Sequence, residues 1–271
     1  MPAPTLPAFV TDGAWPDLAL RQGGAVAVWA LPTHPAPEGG WAVWFDLLDA
    51  EERGRADRFL RPEDRDSYIA AHALLRMALS ACLGAGAPGP AAWRFRRGAH
   101  GKPSIAGPTE AALEFNLSHA RGQVVCALAR SCAVGVDVEC LGRTLRWQEI
   151  AGRTLTAAET LMLRALPPAE QFEPFLQLWT LKEALCKAVG EGLRMRFEEA
   201  GFELEPLRLV TAPLSAGAPE GWQFAQWRSA PDHIVALALR TSAPLEVLAW
   251  QTSVGHPWPA RPFRPASTGA A

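Results

Sequence analysis

The segment AVGVDVE, residues 133–139, ends an apolar, β-prone run on two carboxylates, Asp137 and Glu139. Side chains alternate faces along a strand, so the two acids point the same way. Two carboxylates that close repel each other unless a cation sits between them or one keeps its proton. A hard divalent ion with oxygen ligands, Mg²⁺ in a cell, is the natural partner. Alone, the pattern is weak, because carboxylates normally face water and an exposed strand end explains most DxE occurrences.

A later stretch, WTLKEALCK, carries Trp179, Glu183 and Lys187 at i, i+4 and i+8, on one helix face. Glu183 and Lys187 could be a plain surface pair worth ~0.3–0.5 kcal/mol. The Trp at the head of the face argues for partial burial, and a buried charged pair needs a reason. A third carboxylate beside the first two would complete a Mg²⁺ site, with water and a substrate phosphate in the remaining positions. A Lys one turn away would then steady phosphate charge. FNLSHA adds Ser118 and His119 at a strand end, and GKP puts Lys102 in a turn. Arg55 and Arg58 lie in a charged run whose simplest reading is a solvated helix start. None of these residues carries a function by itself.

The elements that must position them can be read coarsely. GAVAVWAL (24–31) predicts a strand, and residues 58–84 a long helix with Tyr68, His72, Leu75, Leu79 and Leu83 in one stripe, stopped by Gly84 and Gly86. WRFRRGAHGKP reads as a short basic strand and a tight turn. LEFNLSHA, QVVCALA and AVGVDVE read as three strands, with breaks short enough for antiparallel neighbours. Thr156 and Glu159 stand at capping-box spacing before a helix that Pro167 and Pro168 end. A second helix runs from about Pro174 to Val189, with Gly190 or Gly192 as its cap. HIVALAL and EVLAWQ are strand-like, and no short sequence repeat is evident. This order argues for an α+β class.

With 271 residues and a net charge of −2, the chain can build a real core and has no overall field for nucleic acid or an anionic membrane. Five cysteines without a CxxC suggest neither a disulfide framework nor a zinc site, which fits a reducing cytoplasm. The N-terminus lacks the basic start and apolar run of a signal peptide, and no stretch is apolar enough to span a bilayer. A soluble, cytoplasmic protein is expected.

HGKP, FNLSHA, GVDVE and WTLKEALCKAVGEGL, in that order and at these separations, resemble the 4′-phosphopantetheinyl transferases of the surfactin-synthetase-activating type over roughly residues 45–200. The resemblance implies two similar α+β halves about a pseudo-twofold, with coenzyme A in the cleft between them. The expected organisation is a loose segment 1–24, an N-terminal half 25–132, a C-terminal half 133–250 and a disordered tail 251–271. It implies transfer of the phosphopantetheine arm to a serine of an apo acyl or peptidyl carrier protein, with release of adenosine 3′,5′-bisphosphate, by a monomer. Residue by residue, it makes Asp137, Glu139 and Glu183 the metal ligands and Glu183 also the base for the carrier serine. It further implies that Lys187 contacts the pyrophosphate, that His119, Lys102 and Arg55 hold the 3′-phosphate and neighbouring charge, and that Ser118 contacts coenzyme A. The sequence departs from the family at Glu52, where a basic residue is expected, so that Arg58 or Arg97 could substitute, and at Ala120, which replaces a serine.

Attack of a serine hydroxyl on a pyrophosphate needs positioning and cations, not a covalent intermediate. Two other classes fit the same carboxylates: a Mg²⁺-dependent hydrolase acting on coenzyme A, and a non-catalytic protein that binds coenzyme A or a carrier. The first would release 4′-phosphopantetheine without a carrier, and the second would bind without turnover.

Overall fold

The structure, a computed structural model, describes residues 25–251 apart from 35, 37–39, 84–86, 99–100, 109–111, 230–231 and 243–245. The expectations for 1–24, for the tail beyond 251 and for Gly84 and Gly86 as helix stops fall outside those residues.

The chain runs through β1 (Ala25–Pro32), the short helices α1 (Ala42–Phe45) and α2 (Ala50–Ala56), and the long α3 (Pro62–Leu83). The hairpin β2 (Arg94–Arg97) and β3 (Pro103–Gly107) and the strands β4 (Leu113–Ala120) and β5 (Gln123–Arg130) follow. The same order then recurs: β6 (Ala133–Cys140), α4 (Trp147–Thr154), α5 (Ala157–Arg164), long α6 (Phe172–Val189), hairpin β7 (Gly201–Leu204) and β8 (Leu207–Thr211), then β9 (Trp222–Ser229) and β10 (His233–Arg240). A last strand, β11 (Glu246–Gln251), completes it. The sheets are ordered β11-β1-β5-β4 and β6-β10-β9, so each half places its first strand beside its last. The fold is α+β and internally repeated, although the sequence shows no repeat.

Alternation builds the layers. Ala27, Trp29 and Leu31 of β1 face α3, whereas Val26, Val28 and Ala30 face the other sheet. In β6, Val134, Val136 and Val138 join that inter-sheet core, which leaves Gly135, Asp137 and Glu139 on the side of α6. The result is helix, sheet, sheet, helix. Gly135 lets α6 lie against β6: a Cβ there would stand 2.0 Å from the Ala184 carbonyl oxygen and 2.4 Å from the Ala188 nitrogen.

The repeat extends to the buried ions. Asp49 and Glu52 form a capping box on α2, and Thr156 and Glu159 form one on α5. Each box presents its Glu to a fully buried cation of the long helix. Arg76 Nε donates to Glu52 Oε2 at 2.9 Å, and Lys182 Nζ lies 2.9 Å from Glu159 Oε2. Each cation also donates to carbonyls ahead of the hairpin, Pro90 and Trp93 in one half and Phe197 and Ala200 in the other. Their hydrogen-bonding capacity is thereby used, which makes burial of a charge tolerable.

Two sequence expectations are corrected. Residues 58–61 are not helical: α3 starts at Pro62, because proline suits the first helical position, where no N–H is needed. Arg55 and Arg58 therefore precede α3, and Arg55 belongs to α2. AVGVDVE does not pair with its predecessor, QVVCALA. Ser131 takes a left-handed φ of 58° between them, and β6 opens the second sheet beside β10. The seam between halves is made by side chains instead. Asn116 Oδ1 accepts from Val136 N at 2.9 Å, and Ser118 Oγ accepts from Val138 N at 3.3 Å.

Candidate active site

Strand β4 of the first half, β6 of the second and α6 above it converge on one cluster. Lys187 Nζ donates to Asp137 Oδ1 at 2.7 Å and to Ser118 Oγ at 2.8 Å, and Ser118 Oγ donates to Asp137 Oδ1 at 2.9 Å. The other Asp137 oxygen, Oδ2, is buried and has no hydrogen-bond partner among the described residues. Glu139, two residues on, accepts from Trp179 Nε1 at 3.0 Å and pairs with Arg143. Trp179 is itself fixed by stacking on Phe197, with centroids 5.7 Å apart.

Glu183 lies between Trp179 and Lys187 on α6 and lines a cavity of about 320 Å³ with Lys102, Asn116, Lys187 and Phe197. Burial, then the Asp137 charge and more weakly that of Glu139, push its carboxyl up to about 7, against the pull of Lys187. Burial and Asp137 also raise Glu139, opposed by Arg143 and Trp179. Three carboxyl groups thus face two protein cations, Lys187 and Arg143.

Among the described residues, no three His, Cys, Asp or Glu side chains stand close enough to hold a metal ion as they are. Lys187 occupies one side of Asp137, and Arg143 and Trp179 occupy both oxygens of Glu139. The donor set nevertheless fits a hard cation: it is all oxygen, it includes an orphaned buried carboxylate oxygen, and one member holds its proton unusually tightly.

The remaining sequence candidates divide between two cavities. Arg55 and His119 line one of about 600 Å³, together with Arg96, Arg97, Tyr68 and Phe115. Arg55 lies over the Tyr68 ring, 5.8 Å from its centroid. The pKa of His119 is held down, first by the protein around it and then by the Lys187 ammonium. Lys102 is in the other cavity, where it donates to the carbonyls of Ala188 at 3.1 Å and Val134 at 3.4 Å, and burial lowers its pKa. It thus ties β3 to the end of α6 and is not beside His119. Glu52 is no phosphate contact: it holds Arg76 and accepts from His72 Nδ1 at 2.8 Å.

Comparison with known proteins gives the family. Residues 34–131 match the family described as 4′-phosphopantetheinyl transferase, N-terminal, and residues 133–238 match the 4′-phosphopantetheinyl transferase superfamily. The 4′-phosphopantetheinyl transferase HetI of Nostoc is 34% identical over 73% of this chain and 83% of its own length. The chain belongs to the 4′-phosphopantetheinyl transferase superfamily. A 4′-phosphopantetheinyl transferase of Bacillus subtilis is 28% identical over 72% of this chain and 88% of its own. The human L-aminoadipate-semialdehyde dehydrogenase-phosphopantetheinyl transferase is 26% identical over 74% and 69%. As a 4′-phosphopantetheinyl transferase, the protein is an enzyme that uses coenzyme A and hands its phosphopantetheine to carrier proteins.

Two residues of this cluster, Asn116 and Arg143, and one contact, from Trp179 to Glu139, escape the sequence reading. Asn116 was legible in principle, since it alternates with Ser118 inside an apolar strand and so shares its face. The bond from Trp179 to Glu139 depends on the distance between α6 and β6, which no spacing gives. Arg143 lies in the turn after β6, where an arginine has no sequence signal at all.

Proposed function

We propose that transfer takes place at the Ser118, Asp137, Glu183 and Lys187 cluster, with Mg²⁺ held by Asp137, Glu139 and Glu183. The observation that carries this reading is the unpartnered, buried Asp137 Oδ2 beside a glutamate whose pKa is pushed up to about 7. When bound, Mg²⁺ would neutralise the charge that builds on the coenzyme A diphosphate during transfer. Glu183, ionised beside the cation, acts as general base and takes the proton of the carrier serine hydroxyl. The serine oxygen bonds to the β-phosphorus, and the bond from that phosphorus to the bridging oxygen breaks. The electron pair leaves with adenosine 3′,5′-bisphosphate. Lys187 turns its ammonium from Asp137 and Ser118 to the diphosphate oxygens.

His119 and Arg55 share the larger cavity and receive the 3′-phosphate and its neighbourhood, with Arg97 in reach of the role that Glu52 does not fill. Lys102 acts from the smaller cavity, and Ser118 contacts coenzyme A from the seam. We assign the N-terminal half to residues 25–132 and the C-terminal half to 133–250, on the repeated element order. The carrier is an acyl or peptidyl carrier protein. We take the enzyme as a cytoplasmic monomer, since one chain supplies both sides of the site and the five cysteines form no disulfide. No helix among the described residues is long and apolar enough to cross a membrane.

The test is a panel of apo-carriers incubated with coenzyme A and Mg²⁺, each product read by intact mass. The expected result is carrier modification that a chelator abolishes and Mg²⁺ restores. Free 4′-phosphopantetheine formed without a carrier would indicate the hydrolase instead. Tight coenzyme A binding with no product on any carrier would indicate the non-catalytic protein.

A further inference from the structure

Glu139 has two carboxylate oxygens, and the protein fills both. Trp179 Nε1 donates to Oε1 at 3.0 Å from a ring fixed against Phe197, and Arg143 donates to Oε2. The two partners are held very differently. Trp179 is part of α6, whereas Arg143 stands in the segment between β6 and α4 that belongs to no helix or strand. Its side chain is 36% exposed, and Glu139 is the one side-chain partner of its guanidinium among the described residues. The other cations that meet buried acids are anchored. Arg76 and Lys182 are fully buried and also bonded to backbone carbonyls, and Lys187 is bonded to Ser118 as well as to Asp137. Arg143 is thus the cation that can leave at least cost.

The charges around Asp137, Glu139 and Glu183 give the departure a direction. Two protein cations, Lys187 and Arg143, stand against three carboxyl groups. A divalent ion entering this cluster needs an oxygen of Glu139, and the Trp179 ring on the other oxygen is held by its stacking on Phe197.

We infer that Arg143 is a displaceable internal counter-ion, which occupies Glu139 in the metal-free enzyme and competes with the divalent cation for it. The inference rests on the metal reading of the three carboxylates. It adds a residue that sets the affinity of the site for its metal and does so from outside the ligand set. Arg143 keeps Glu139 from meeting Asp137 as a bare charge before the metal arrives, and gives way when it does. A partly exposed ion pair such as this is worth up to ~1 kcal/mol, so its removal should tighten metal binding roughly fivefold.

The probe is Mn²⁺, with free Mn²⁺ followed by electron paramagnetic resonance against the full chain, with and without coenzyme A. Arg143→Gln should bind Mn²⁺ roughly fivefold more tightly than wild type, and Arg143→Lys, which keeps a cation, should stay near wild type. Asp137→Asn should lose the binding. If Arg143→Gln binds equally or more weakly while Asp137→Asn still abolishes binding, Arg143 is no competitor and the inference falls alone. If neither wild type nor Arg143→Gln binds Mn²⁺ saturably with coenzyme A present, the metal reading falls and takes the inference with it. Circular dichroism of each variant separates a change at the site from loss of fold.

Discussion

At the scale of the residue, Glu183 is the most perturbed acid of the cluster. Its carboxyl is pushed from an ordinary 4.5 to about 7 by burial and by Asp137. Between those values the unfolded chain has released a proton that the folded chain still holds. Stability therefore falls as pH rises through this window, and the loss is complete above it. Glu183→Gln removes the titration. In the presence of a chelator, the variant should gain on wild type in melting temperature by on the order of 5 °C between pH 5 and pH 8. Melting curves that stay parallel across that range would show that the carboxyl is not strained as described. Much of the site at this scale was legible from spacing. The i, i+2 rule on β6 and the i, i+4 rule on α6 put Asp137 with Glu139 and Glu183 with Lys187. Arg143 was not legible, because its contact depends on a turn geometry that periodicity does not encode. Lys102 was legible as a turn lysine, and its bond to the end of α6 was not.

At the scale of the element, the site exists because α6 lies on β6 with no side chain between them at Gly135. Its Cβ would meet the helix backbone at Ala184 and Ala188, and a helix backbone can yield only by moving as a body. Gly135→Ala should thus push Glu183 and Lys187 away from Asp137. The expected cost is ~3 kcal/mol or more in urea unfolding, together with a large fall in transfer rate. Wild-type stability and rate in this variant would refute the close packing. The sequence located α6 and the three strands around Ser118 well, because apolar periodicity and a helix-stopping Gly190 are local signals. It misplaced the start of α3 and the partner of β6. Pro62 decides the first locally, but strand pairing is decided by the inter-sheet core of Val134, Val136 and Val138, which is a tertiary choice.

At the scale of the whole molecule, two repeated halves are joined by contacts that the repeat itself does not supply. Asn116 and Ser118 substitute for a neighbouring strand along β6, and His233 Nε2 donates to the Arg121 carbonyl at 2.9 Å on the far side. The last strand, β11, leaves its own half and pairs in parallel with β1, from Ala25 against Glu246 to Ala30 against Gln251. Truncation after Thr241 would bare that edge of β1, which is a template for pairing between chains. The truncated chain should melt at least ~5 °C lower and aggregate in a concentration-dependent way, as followed by light scattering; an unchanged, monodisperse protein would mean that β11 does not join the halves. This return was not legible, since EVLAWQ announces a strand but not which sheet receives it. On the proposed reading, catalysis depends on the same union, because Ser118 of β4 and Asp137 of β6 meet across the seam. The most direct measurement is the intact mass of an apo-carrier after incubation with coenzyme A, Mg²⁺ and either wild-type enzyme or Asp137→Asn. The account requires full modification by wild type and a rate lower by ~10²-fold or more in a variant that still folds; equal modification by the two proteins would contradict it.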